Sequence, residues 1–160
     1  MSIHTHPTNM GKIEVYRGVI FDKPNDSVLL VRRSSTDSYQ PGQYEFPGGK
    51  VDEGEAAVTT LQREIEEETG LVVTTWMDSV ETSELYRAEV LIEKGKYEGM
   101  MHVSHFILSR IVSGSLQLSD EHDDFMWASV YETPAFGQIS DVSEEAFKRF
   151  RIRWALANTQ

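Results

Sequence analysis

The chain has 160 residues, 39% of them hydrophobic, no cysteine, and a formal net charge of -11 from 15 Lys+Arg against 26 Asp+Glu. The missing cysteines exclude disulfide frameworks, thiolate zinc sites and thiol catalysis. Apolar runs such as Val28 to Val31 fall far short of the ~20 residues a membrane helix needs. Charge of this sign repels the backbone of a nucleic acid duplex, yet it suits a small phosphorylated substrate if cations are recruited first.

One domain over residues 1–160 is expected from the length. The N-terminus has neither a basic start nor an apolar stretch, so no signal peptide is expected, residues 1–11 read as a flexible tail, and the expected location is the cytosol. Lys12 to Phe21 and Ser27 to Arg33 are β-branched and apolar runs around the turn cluster Pro24-Asn25-Asp26, which predicts a hairpin. Ser34 to Gln43 reads as a surface loop before the extended piece Tyr44-Glu45-Phe46. From about Glu55 to Thr69 helix formers dominate without Pro or interior Gly. A helix is predicted there, with acids in its first turn and Gly70 as a left-handed C-cap. Leu71 to Thr75, Leu85 to Glu93 and Met101 to Val112 read as strands, and an acidic loop, Ser119 to Asp124, precedes Phe125 to Ala128. Ser143 to Asn158 predicts an amphipathic helix with Phe147, Phe150, Arg151 and Trp154 on one stripe. Core packing is the first use of that stripe, and a homodimer contact the second.

The helix over 55–69 carries the chemistry. At about 100° per residue, Glu64, Glu67 and Glu68 share an arc of roughly 100°, Val58, Leu61 and Ile65 form an apolar stripe beside it, and Glu66 faces away. Like charges at this spacing repel, weakening an isolated helix by ~0.2 to 0.5 kcal/mol per pair. Arg63 offsets only part of that repulsion. A divalent cation is the remaining partner, and oxygen-only donors select hard ions such as Mg²⁺, with Mn²⁺ able to substitute.

The spacing Gly49, five residues, Glu55, seven residues, then Arg63-Glu64-Ile65-Glu66-Glu67-Glu68-Thr69-Gly70-Leu71 resembles the signature box of the Nudix hydrolases. Ordinary residue frequencies put a chance match on the order of 10⁻⁷ for this length, about tenfold higher with the Glu enrichment. Tyr44-Glu45-Phe46-Pro47-Gly48-Gly49-Lys50 is similar to the segment entering the box in MutT-like members, and Glu121-His122, Trp127 and Glu132 to the family's later pattern. The resemblance implies an α/β/α sandwich with a mixed β-sheet. It also implies hydrolysis of a nucleoside diphosphate linked to another moiety.

By the same resemblance, Gly48 (through its carbonyl), Glu64, Glu67 and Glu68 are the metal ligands. Arg63 and Glu55 form an orienting ion pair, and Glu64 is the first candidate for the general base, with Glu121 the second. Arg17, Arg32 and Arg33 lie on the early strands as phosphate contacts, and strand alternation puts Arg32 and Arg33 on opposite faces, so only one of them serves; Arg32 is taken. Tyr44, Phe46, Tyr86 and Phe125 are the base-stacking candidates, with core packing the commoner use of any single one. The expected substrate is a nucleoside triphosphate, oxidised forms included, cleaved to monophosphate and pyrophosphate. ADP-ribose, dinucleoside polyphosphates, nucleotide sugars and an inactive nucleotide-binding module are the alternatives. His102, His105 and His122 form no ligand constellation in the sequence.

Overall fold

The computed structural model describes residues 11–37, 41–132 and 138–158. The expected N-terminal tail therefore lies, but for Gly11, outside the described residues. Strand β1 (Lys12–Asp22) runs antiparallel into β2 (Ser27–Arg33) with Phe21 opposite Val28. A single 3-10 turn over Lys23–Asn25 closes this hairpin, and Asp26 takes the left-handed φ of 48° that an Asp side chain tolerates. Strands β3 (Tyr44–Glu45) and β8 (His122–Ser129) pair with β2, and β4 (Gly48–Lys50) pairs with β1.

The long strand β7 (Met101–Gly114) lies parallel to β1. It is antiparallel to β6 (Glu84–Leu91) over its first half and to β5 (Leu71–Thr75) over its second. The sheet is thus mixed, as expected. Helix α1 (Ala57–Thr69) covers one face, its Leu61 and Ile65 packed with Ile20, Leu29 and Ile107. Helix α3 (Asp141–Ala157) covers the other, its Ala146, Phe147 and Phe150 packed with Val19, Phe21, Val28 and Phe106. The result is an α/β/α sandwich. Complete burial of Leu61 and Ile65 contributes about 1.5–3 kcal/mol each to seating α1.

Several local expectations change. α1 starts at Ala57, not Glu55, with no acid in its first turn, and the Glu55 carboxylate just ahead of it is engaged by Thr60 and Arg63. Val58 lies toward solvent at 38% exposure, so the apolar stripe narrows to Leu61 and Ile65. β8 begins inside the expected acidic loop, and a short helix α2 (Val80–Ser83), closed by a Ser79/Thr82 capping box, precedes β6. Gly70 is the left-handed C-cap expected of it, with φ 77° and its N–H on Glu66 O. The α3 stripe is core packing for Phe147 and Phe150, and Arg151 donates to Val130 O while its guanidinium sits 5.9 Å from the Phe147 ring. Among the described residues no helix is long and apolar enough to cross a membrane.

Candidate functional site

β4 is a glycine strand wedged between β1 and α1. Gly48 stands opposite Arg17 and Gly49 opposite Tyr16. A Cβ on Gly48, whose φ is 153°, would lie 2.6 Å from Arg17 Cα and closer still to Tyr16 O, so only glycine lets the two backbones approach this closely. A Cβ on Gly49 would instead meet the Glu64 side chain, 2.7 Å from its Cγ. Both glycines are thus set by close approach, one to backbone and one to a carboxylate.

The three clustered acids have different holders. Glu68 is buried and accepts from the Gly48 N–H at 3.3 Å. Burial raises its carboxyl well above the usual range, against the opposing pull of Arg17. Glu64 is half-buried, and burial raises its carboxyl too, partly offset by Arg63. Glu67 is 59% exposed and lies 3.3 Å from Arg63 Nη1. Arg63 is the hub, donating from Nε to Glu55 at 2.8 Å and from Nη2 at 3.0 Å, with Asp52 at 3.3 Å. These bonds, with that from Thr60, hold the Glu55 carboxyl down at about 2.

The segment before β8 docks on the end of α1, with Gln117 N–H on Thr69 O at 2.7 Å and Ser119 N–H on Glu68 O at 3.0 Å. Docking brings Glu121 to Glu64. The acids thereby line two adjoining depressions of about 250 and 300 Å³ that share Glu64, Glu68 and Glu121. Arg17, Arg33, Glu45, Gly48 and His122 complete the deeper one, while Glu67 lines only the shallower. The sequence predicted Gly48, Glu64, Glu67, Glu68 and Glu121 as a group, and the fold brings them together. Arg63 and Glu55 stand behind them as the expected ion pair.

The substrate-side candidates are placed differently. Arg17 lines the cleft, where its Nη1 donates to Phe46 O at 2.9 Å and its Nε is buried without a hydrogen-bond partner. Arg32 lies away from the acids, paired with Asp123 at 2.7 Å and over the Tyr44 ring at 6.0 Å. Of the two neighbouring arginines it is Arg33 that faces the cleft. Tyr44 is half-buried and donates to Asp124 at 3.2 Å. Phe46 is fully buried, edge-on to Phe106 at 6.0 Å, so strand alternation spends it on the core beneath α3 and leaves no ring face for a base. Tyr86 is likewise occupied, stacked on Phe106 at 5.8 Å beneath the Arg149 guanidinium.

The sequence reading missed an apolar cavity of about 450 Å³ that adjoins the acid cleft through Arg17 and Glu45. Val90, Leu91, Ile92, Val142 and His102 wall it, with Ser104 and Ser140 as polar points. Burial, then Arg17, pushes the His102 imidazole below its usual range. A third cavity, of about 350 Å³ between Trp76, Phe150 and Trp154, shares no lining residue with the acid cleft.

A divalent cation fits the donors present at the cleft. Among the described residues no three His, Asp or Glu side chains form a preformed metal cage. The carboxylates lining the cleft are nonetheless hard oxygen donors, and two of them are raised by a desolvation that positive charge would relieve.

An α/β/α sandwich whose acid-bearing helix docks on a glycine strand defines a recognisable class. The chain belongs to the NUDIX domain family, whose model matches residues 13–150. It is 38% identical over 71 residues to the 8-oxo-dGTP diphosphatase of Proteus vulgaris, a stretch covering 43% of this chain and 62% of that protein. Against the 8-oxo-dGTP diphosphatase of Escherichia coli (strain K12) it is 32% identical over 62 residues, or 39% and 46% of the two chains. The matched stretches therefore span about half the length of these relatives. Among solved structures, the E. coli ORF135 protein superposes with a TM-score of 0.71 at 24% identity, covering 93% of this chain and 95% of that one. The MutT protein from Methanosarcina mazei Go1 gives 0.68 at 21%, covering 89% and 95%. These two likenesses bear on the fold alone.

Proposed function

We propose that this protein is a divalent-cation-dependent pyrophosphohydrolase that converts a nucleoside triphosphate, an oxidised one included, to its monophosphate and pyrophosphate. The observation that carries the reading is the contact between two unlike compartments. Glu64, Glu68 and Glu121 line a charged cleft, and Arg17 and Glu45 join it to an apolar cavity of about 450 Å³. One compartment suits a cation-bound polyphosphate and the other a nucleobase. That two curated relatives are 8-oxo-dGTP diphosphatases supports the choice of a triphosphate.

In this reading Glu64, Glu67, Glu68 and the Gly48 carbonyl hold Mg²⁺, with Mn²⁺ as a substitute. Bound there, the cation would supply positive charge against the charge developing on the phosphoryl oxygens during attack by water. The chain's own groups do the rest. Glu64, which lines the cleft beside Glu68 and Glu121, is the first candidate to take the proton of the attacking water. Glu121, exposed on the facing loop, is the second candidate. Arg63 is a positioning residue, and Glu55 keeps it in place. Arg17 offers its buried Nε–H, and Arg33 its charge, to phosphate oxygens.

The test is a panel of nucleoside triphosphates, ADP-ribose, dinucleoside polyphosphates and nucleotide sugars, with phosphate, pyrophosphate and nucleoside products measured separately. Release of pyrophosphate with monophosphate from a triphosphate supports the reading. Turnover confined to another class, or none in the presence of Mg²⁺, rejects it.

A further inference from the structure

We propose that Ser140, at the N-terminus of α3, selects the base: its hydroxyl and the first N–H groups of the helix take a ring carbonyl oxygen, so that the apolar cavity favours hypoxanthine, guanine or uracil over adenine or cytosine. This rests on the reading of that cavity as the nucleobase compartment and names the class of base it takes.

Strand β3 seats the end of the helix. Tyr44 N–H donates to Gln138 O at 2.7 Å and Ser140 N–H to Tyr44 O at 2.9 Å, while Phe46 N–H reaches Ser143 Oγ at 3.2 Å. The segment that carries Glu45 to the cleft thus also fixes the first turn of α3, and Ser140 and Val142 become cavity wall. Ser140 stands at the N-cap with an extended backbone, where a serine hydroxyl ordinarily accepts from an N–H of the first turn. Here it does not. Among the described residues its Oγ has no hydrogen-bond partner, although Ser140 is only 3% exposed. Nor is that oxygen sealed in, for the little surface Ser140 keeps opens on the cavity.

The chemistry of this corner favours an acceptor. The first backbone bond of α3 runs from Glu144 N–H to Ser140 O at 2.8 Å, so the N–H groups of Asp141, Val142 and Ser143 have no carbonyl within the helix. These donors and the positive end of the helix dipole draw an oxygen that carries negative charge, such as a base carbonyl. The first-turn acids Asp141 and Glu144 are not among the cavity walls. Strong acceptors for an amino group are scarce. Glu45 lines the cavity, but its carboxylate is spent on Arg33 and His122, each at 3.1 Å, and on Arg17 at 3.5 Å. His102 and Ser104 on β7 lie 3.5 Å apart, a long contact that leaves both able to bond elsewhere on the base. An amino group turned to the helix would set donor against donor, whereas a carbonyl oxygen meets the hydroxyl and the N–H groups as their acceptor.

Two pairs of nucleoside monophosphates isolate the carbonyl: inosine against adenosine, and uridine against cytidine, each pair exchanging a ring carbonyl for an amino group. Their binding is read by titration calorimetry with Mg²⁺ present, for wild type and Ser140→Ala. Expected in the pair that binds more tightly is a carbonyl member held about tenfold better than its amino partner. Ser140→Ala should weaken the carbonyl member about 3–10-fold and leave the amino member within about twofold. Because no capping bond is lost, Tm should stay within about 4 °C of wild type. Equal affinity within both pairs, a preference that Ser140→Ala leaves intact, or no binding of any of the four overturns the proposal. Should Ser140→Ala fold poorly, Ser140→Gly, nearly as good at an N-cap as Ser, makes the same comparison. Binding is read without turnover, so the two claims fail separately. Selective binding with no hydrolysis of inosine or uridine triphosphate rejects the hydrolase and leaves the base assignment, whereas triphosphate hydrolysis with equal affinities within each pair rejects the base assignment alone.

Discussion

Replacing each of the adjacent glycines by alanine gives opposite outcomes. At Gly48 the new methyl lies 2.6 Å from Arg17 Cα and nearer Tyr16 O, both backbone atoms of a central strand, at a φ of 153°. Neither neighbour can rotate away, so β4 must part from β1. Strain of that kind costs on the order of 3 kcal/mol or more, or a fall in Tm of about 6–12 °C at this size. At Gly49 no unusual φ is required, and the methyl's three nearest atoms all belong to the Glu64 side chain, Cγ at 2.7 Å where 3.4 Å is an ordinary contact. That side chain can swing, so the loss of stability stays within about 1 kcal/mol while the carboxylate moves by roughly 1 Å, a misplacement that can cost ~10²-fold in rate. The assay pairs thermal unfolding with pyrophosphate release from a nucleoside triphosphate. Gly48→Ala should lose stability, and Gly49→Ala should lose kcat with Tm within about 4 °C of wild type. A Gly49→Ala protein with wild-type kcat would refute the reasoning that Glu64 acts from the position seen here.

Glu67→Gln should lower kcat on the order of 10²–10³-fold with little change in Tm, since this side chain is 59% exposed; near-normal turnover removes it from the cation site. EDTA should abolish activity and Mg²⁺ or Mn²⁺ restore it, whereas turnover that survives chelation contradicts the cation argument. For Glu55, whose carboxyl is lowered from 4.5 to about 2, stability is fully present above the unfolded value and is lost as pH falls through the folded one. The Tm gap between wild type and Glu55→Gln should therefore narrow from pH 4.5 toward 2, and a gap independent of pH across that window rejects the ion pair as its source.

The parts of this molecule legible in the sequence are those governed by local rules. Helix α1, its Gly70 cap and the β1–β2 hairpin follow from residue propensities and turn chemistry within a few positions, and the common direction of Glu64, Glu67 and Glu68 follows from helical pitch. What was not legible depends on long-range register. Arg32 and Arg33 are neighbours with the same chemistry. The choice between them is made by which face of β2 packs on α1, the face that Arg33 shares with Leu29, while Arg32 shares the α3 side with Val28 and Leu30. Phe46 and Tyr86 read equally as base-stacking candidates or core residues until α3 and Phe106 are seen to pack against them. His122 gave no signal as a cleft residue because its neighbours, Glu45 and Glu68, come from two other elements. The charged environment around it exists only after β2, β3 and β8 have paired. The apolar cavity was hidden for the same reason, its walls coming from β6, β7 and the start of α3.

The central claim is that one cleft of acids takes up hard cations together with a polyphosphate. Equilibrium titration of Mn²⁺ into the protein beside a non-hydrolysable nucleoside triphosphate analogue, with wild type against Glu68→Gln, tests it most directly. The account predicts saturable uptake in wild type that depends on the analogue and weakens at least tenfold in the variant. Equal uptake by both proteins, or none by wild type, would contradict it.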